Sequence, residues 1–174
     1  MKKQIKYIII FLSAFAVRLI PFRAPNVEPI MASIMPIGKT YSKLTTFAFG
    51  FFSIVLFDSI TSGLGVWTLV TAIAYGSIGL GATYFFKNRS GWKNYAKYAV
   101  IATIFYDAIT GLTLGPLFFH QSFIQALVGQ IPFTAIHLLG NVSFAIILSP
   151  AIEMWSTRKS ESFVLGSKVK VCNS

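Results

Sequence analysis

A chain of 174 residues that is 55% hydrophobic, 16% aromatic and only 11% charged lacks the composition of a soluble domain, where about a quarter of residues are charged. Its net charge of +10 is scattered in small groups between apolar stretches. That pattern excludes nucleic acid as the expected partner, which would need one basic surface on its own core, and points to a lipid bilayer with anionic headgroups. The single cysteine, Cys172, excludes an internal disulfide and a thiolate metal site.

A helix needs about 20 apolar residues to cross ~30 Å of hydrocarbon, and six membrane segments are predicted. The first covers residues 5–20 and stops at Pro21. Arg18 and Arg23 stand where a signal-peptide cleavage site would lie, so an uncleaved span is expected. The second, residues 27–38, carries Pro36 and is short: about 12 residues rise only ~18 Å. It must be tilted, re-entrant or longer than its apolar core. The third covers 44–62 and is broken by Gly63 and Gly65; the fourth covers 66–86 and the fifth 95–111. The sixth covers 131–154, with Pro132 in its first turn, where a missing N–H costs nothing.

Between the last two, Phe123, Ile124 and Leu127 recur at helical spacing, so residues 120–130 are expected to form a short interfacial helix or lid. A transmembrane domain of residues 1–156 would then precede a basic tail, 157–174. With both termini cytoplasmic, every basic residue except Arg18 and Arg23 falls on the cytoplasmic side, as the positive-inside rule requires.

Two loops echo each other: Phe57-Asp58-Ser59-Ile60-Thr61 and Tyr106-Asp107-Ala108-Ile109-Thr110. Asp58 is the only charged side chain from Leu44 to Phe86, and Asp107 the only one from Tyr98 to Ile152. An acid in such a setting costs a few kcal/mol and is a functional candidate by default. Both are expected near the outward ends of their helices. Thr61 and Thr110 follow at +3, on the same helical face, so each carboxylate is expected to accept from its threonine. Three roles stay open for the acids: pinning helices through Arg18 or Arg23, contacting solute in an outward cavity, or relaying a proton or cation.

In the sixth segment His137 and Asn141 stack at i, i+4 and are expected to face the bundle. The only other histidine is His120, and no His-Glu-x-x-His pattern exists, so no metal site is expected. Ala72, Gly76 and Gly79 form a small-residue stripe suited to close helix packing. No phosphate-binding loop, nucleophile elbow or metalloprotease motif occurs. The expectation is a protein that is not an enzyme and has no cofactor, with any ATP-derived power supplied by another polypeptide.

Six segments in under 200 residues resemble the substrate-binding S components of energy-coupling factor (ECF) vitamin transporters. So do the cytoplasmic termini, the first outer loop (Arg18-Leu19-Ile20-Pro21-Phe22-Arg23-Ala24-Pro25-Asn26) and the aromatic stretch before the sixth span. More narrowly, residues 18–36, Phe57-Asp58 and Ile136-His137-Leu138-Leu139-Gly140-Asn141 resemble a group of uncharacterised bacterial S-like membrane proteins. The resemblance covers residues 5–155. It implies an all-α, multi-pass protein of the inner (plasma) membrane that captures a vitamin or related micronutrient from outside. It also implies docking with a membrane coupling subunit and two ATPase subunits. Where that family often carries Ala-x-x-x-Ala on its first helix, this chain reads Ser13-Ala14-Phe15-Ala16-Val17, a departure.

The expected solute site combines Asp58, Asp107, His137 and Asn141 with Thr61, Thr110 and the loop residues Arg23 and Asn26. The aromatic stretch 118–123 would close above it. Rod-shape-determining membrane proteins resemble the same fold and transport nothing. The alternative expectation is therefore a non-transporting structural scaffold.

Overall fold

The computed structural model describes residues 3–21 and 29–157; Arg23, Asn26 and the basic tail after Thr157 lie outside the described residues. Among these, six helices and no strand are present: α1 (Lys3–Arg18), α2 (Ile30–Thr40), α3 (Lys43–Ile60), α4 (Val66–Phe85), α5 (Trp92–Phe118) and α6 (Phe123–Thr157). The last four are long and apolar enough to cross a membrane. Their outer faces carry Leu44, Ile124, Leu139 and Ile147, each more than 70% exposed. An apolar surface of that kind suits lipid better than water.

The shortest of the six helices is the hub. α2 has 11 residues, and every one from Ile30 to Gly38 is buried. It packs against all five other helices, which is why its sequence is apolar all round rather than on one stripe. Pro36 within it cannot donate to the carbonyl of Ala32. That carbonyl accepts instead from Ser149 Oγ of α6, at 2.7 Å. The helix break written into the sequence is thus mended by a neighbour.

The helices alternate in direction, and their charges separate accordingly. At one end Lys6 donates to Trp155 O (2.8 Å) at the close of α6, a cation placed on the negative end of a helix dipole. Tyr41 donates to Lys3 O, Lys43 to Tyr84, and Lys39 pairs with Glu153 and bonds Ser90. Tyr95 donates to the second Glu153 oxygen at 2.8 Å. Arg18 sits at the opposite end, its guanidinium 4.3 Å above the Phe57 ring.

α3 and α4 form a tight hairpin. A methyl group on Gly50 would lie 2.5 Å from the Tyr75 carbonyl oxygen, and one on Gly79 would lie 2.6 Å from that of Thr46. The small-residue stripe is therefore packing, as its spacing suggested. Gly63, at φ +80°, ends α3 in the left-handed conformation, its N–H reaching Asp58 O at 2.7 Å.

α5 and α6 depart from expectation. α5 continues to Phe118 rather than stopping near Gly111. The segment expected as a separate interfacial helix is the beginning of α6, which runs 35 residues without a break. The cause is a reciprocal cap: Gln125 N–H donates to Ser122 Oγ (3.2 Å) and Ser122 N–H to Gln125 Oε1 (3.0 Å). This capping box starts the helix well ahead of Pro132, which then removes a single hydrogen bond from an established helix.

Candidate functional site

α5 presents Thr103 and Asp107 one turn apart, and α6 presents His137 and Asn141 with the same spacing. Because the two helices run antiparallel and pack together, the four residues meet as two cross-links. Asp107 Oδ1 and His137 Nδ1 lie 2.7 Å apart; with the carboxylate ionised, the Nδ1–H donates. One turn towards the basic end, Asn141 Nδ2 donates to Thr103 Oγ1 at 2.9 Å. The Thr103 hydroxyl in turn donates to Met31 Sδ of α2 (3.5 Å), tying the seam to the hub. Asp107, His137, Asn141 and Thr103 are all 2% exposed or less.

Rings wall the seam. Tyr106 and Phe133 each meet the His137 imidazole edge-on with centroids 5.7 Å away, and Tyr75 meets Tyr106 edge-on in turn at 4.9 Å. In such a low-dielectric setting a satisfied polar contact is strengthened and an unsatisfied one is costly. Two oxygens of the seam, Asp107 Oδ2 and Asn141 Oδ1, have no hydrogen-bond partner among the described residues. Further along α6 towards its start, Gln130 Nε2 donates to Thr134 Oγ1 at 3.2 Å. The polar stripe therefore continues towards the end of the bundle that carries Arg18.

Asp58 belongs elsewhere. Its Oδ2 accepts from Thr68 Oγ1 at 2.7 Å, and Thr68 Oγ1 also accepts from Gly65 N–H at 3.1 Å. The carboxylate thus fastens the end of α3 to the first turn of α4. α3 and α5 make no contact with each other, so the two acids do not share a site, and the combined solute site expected from the sequence divides in two.

Three further expectations are corrected. Thr61 Oγ1 donates to Phe57 O and Thr110 Oγ1 to Tyr106 O, each at 2.8 Å. Neither threonine serves its neighbouring aspartate. A threonine in a helix readily bonds the carbonyl four residues back, and that bond competes with the side chain at −3. Asp107 is also not at a helix end. Residues 108–118 continue α5 beyond it, so only Asp58 occupies the terminal position that both were expected to hold.

Of the predicted site residues, the structure brings Asp107, His137 and Asn141 together, places Thr110 one turn from Asp107 without a bond to it, and sets Asp58 and Thr61 apart. Thr103 and Met31 were not foreseen. The available signal was that Thr103 precedes Asp107 by the same four residues that separate His137 from Asn141. Phe118 and Phe119, expected to close above the solute site, line a cavity of about 200 Å³ with Val66, Trp67 and Leu114. A larger apolar cavity of about 430 Å³ lies between α1 and α6, against Ser13, Ser33, Leu148 and Trp155. Neither cavity is lined by the seam residues. Among the described residues, no cluster of three or more His, Cys, Asp or Glu side chains could hold a metal ion.

Comparison of the chain with protein-family models, with curated proteins and with solved structures finds no match in any of the three.

Proposed function

We propose that this chain is the solute-capturing subunit of an ECF-type importer for a vitamin or related micronutrient, with the α5–α6 seam as the place where solute is held. The observation that carries the reading is the pair of buried acceptor oxygens, Asp107 Oδ2 and Asn141 Oδ1, left unmatched within a polar seam. A purely structural seam gains nothing from unmatched acceptors, because each costs about 1–3 kcal/mol of desolvation. A binding site recovers that cost when its ligand arrives.

Six membrane spans with both termini on the cytoplasmic side of the inner membrane complete the proposal. It is supported by the gathering of Lys3, Lys6, Lys39 and Lys43 at one end of the bundle. Power for uptake would come from a membrane coupling subunit and two ATPase subunits. The test is gentle affinity purification from the native host, with mass spectrometry of both the co-purifying polypeptides and the extracted small molecules. Recovery of a coupling subunit, nucleotide-binding subunits and a stoichiometric solute supports the reading; repeated recovery of cell-wall or division proteins alone rejects it.

A second reading, a non-transporting scaffold of the same fold, draws on Asp58. Its carboxylate is engaged by Thr68 in holding two helices together.

A further inference from the structure

The α5–α6 seam spends most of its donors on itself. The Thr103 hydroxyl goes to Met31, one N–H of the Asn141 amide to Thr103, and, with the carboxylate ionised, the His137 Nδ1–H to Asp107 Oδ1. Two buried acceptors are left without a partner among the described residues: Asp107 Oδ2 and Asn141 Oδ1, on residues each 1% exposed. They belong to neighbouring cross-links, about one helical turn or ~5.4 Å apart along the helices. A single group that completes both must therefore donate at least twice.

Charge narrows the class further. Asp107 is the only charged side chain in the sequence from Tyr98 to Ile152. A carboxylate in a low-dielectric setting favours a positive partner over a neutral one. A transition metal is a poor match, because the described residues include no cluster of three suitable ligands. The aromatic walls of Tyr106 and Phe133 beside His137 suit a cation that is partly stripped of water.

We infer that the seam binds the protonated nitrogen head of its solute, an ammonium or amidinium bearing at least two N–H bonds. One N–H is received by Asp107 Oδ2 and another by Asn141 Oδ1. The inference rests on the solute-capture reading and narrows it to nitrogen cations.

The test uses the purified full chain in mild detergent at constant ionic strength. Thermal unfolding is followed while methylammonium, tetramethylammonium or sodium chloride is raised into the tenth-molar range. Methylammonium should raise the melting temperature saturably. Tetramethylammonium, which has the same charge and no N–H, should not, and neither should sodium. Asp107→Asn and Asn141→Leu should each weaken the methylammonium response about tenfold or more, which corresponds to ~1.4 kcal/mol; Asp58→Asn should leave it unchanged. Should Asn141→Leu fail to fold, Asp107→Asn, which keeps side-chain size and can still bond His137, carries the test.

Equal responses to methylammonium and either control salt overturn the inference. So does a methylammonium response that appears only in Arg23→Gln, because the chain's own guanidinium would then be the donor. A neutral or anionic solute found by native mass spectrometry, and lost in Asp107→Asn, overturns the cation class while leaving solute capture standing. No bound solute together with equal responses to all three salts removes both.

Discussion

The α3–α4 and α5–α6 hairpins carry the same short theme, an aromatic ring, an aspartate, a small residue, an isoleucine and a threonine, and put it to different uses. In the first, Asp58 lies in the last turn of its helix, accepts from Thr68, and joins two helices already pressed together at Gly50 and Gly79. In the second, Asp107 lies inside a longer helix, uses one oxygen on His137 and leaves the other without a partner among the described residues. The local cause lies where the shared residues end. Thr61-Ser62-Gly63 ends α3 with a left-handed glycine, whereas Gly111 remains helical and α5 goes on. The same residues thus give a closed fastening in one hairpin and an open acceptor in the other.

The largest effect should come from breaking the buried pair. His137→Leu leaves the Asp107 carboxylate alone in the seam and should cost about 3–5 kcal/mol, measured as loss of melting temperature or of resistance to denaturant in mixed micelles. Adding Asp107→Leu should recover much of that loss, the mark of two coupled groups in a double-mutant cycle.

Next in size is a steric contrast between the hairpins. Gly79→Ala forces a methyl group against the Thr46 backbone and should destabilise by roughly 1–3 kcal/mol. Gly111→Ala meets only the movable end of the Gln130 side chain and should cost less than about 1 kcal/mol. Equal costs would mean that the two hairpins are not packed as differently as the contacts indicate.

Asp58→Asn should lower stability by about 1 kcal/mol, through its weakened bond to Thr68, and leave solute binding intact. An effect of similar size concerns the hub. Ser149→Ala removes the donor to Ala32 O and should cost ~1 kcal/mol. The cost should shrink when Pro36→Ala restores a backbone N–H to the same carbonyl. Equal costs in both backgrounds would show that the two residues are not coupled.

Much of the architecture is legible in the chain because apolar length and helical spacing are local signals. The first four helices fall close to their predicted stretches, and the second is visibly too short to span, although its role as hub is not visible. What cannot be read locally is tertiary. Nothing in the neighbourhood of Pro36 announces that Ser149, far along the chain, will take up its orphaned carbonyl.

The end of α5 is misplaced by sequence reasoning because Gly111, Gly115 and Pro116 look like terminators. In an apolar setting, however, the helix is the cheapest way to satisfy the backbone. The start of α6 is legible in Ser122 and Gln125, yet Pro132 outweighs them when only local signals are read. For the site, His137 and Asn141 stand out by their spacing and Asp107 by its isolation. Thr103 escapes notice because a threonine in an apolar span is ordinary until its partner across the seam is known.

The most direct test of the contrast between the two hairpins is native mass spectrometry of the full chain, gently purified from its host, as wild type, Asp58→Asn and Asp107→Asn, each first shown to unfold cooperatively. A bound solute is predicted in the wild type and in Asp58→Asn, and it should be absent from Asp107→Asn. Solute retained in Asp107→Asn and lost from Asp58→Asn would contradict the assignment of capture to the α5–α6 seam and of fastening to α3–α4.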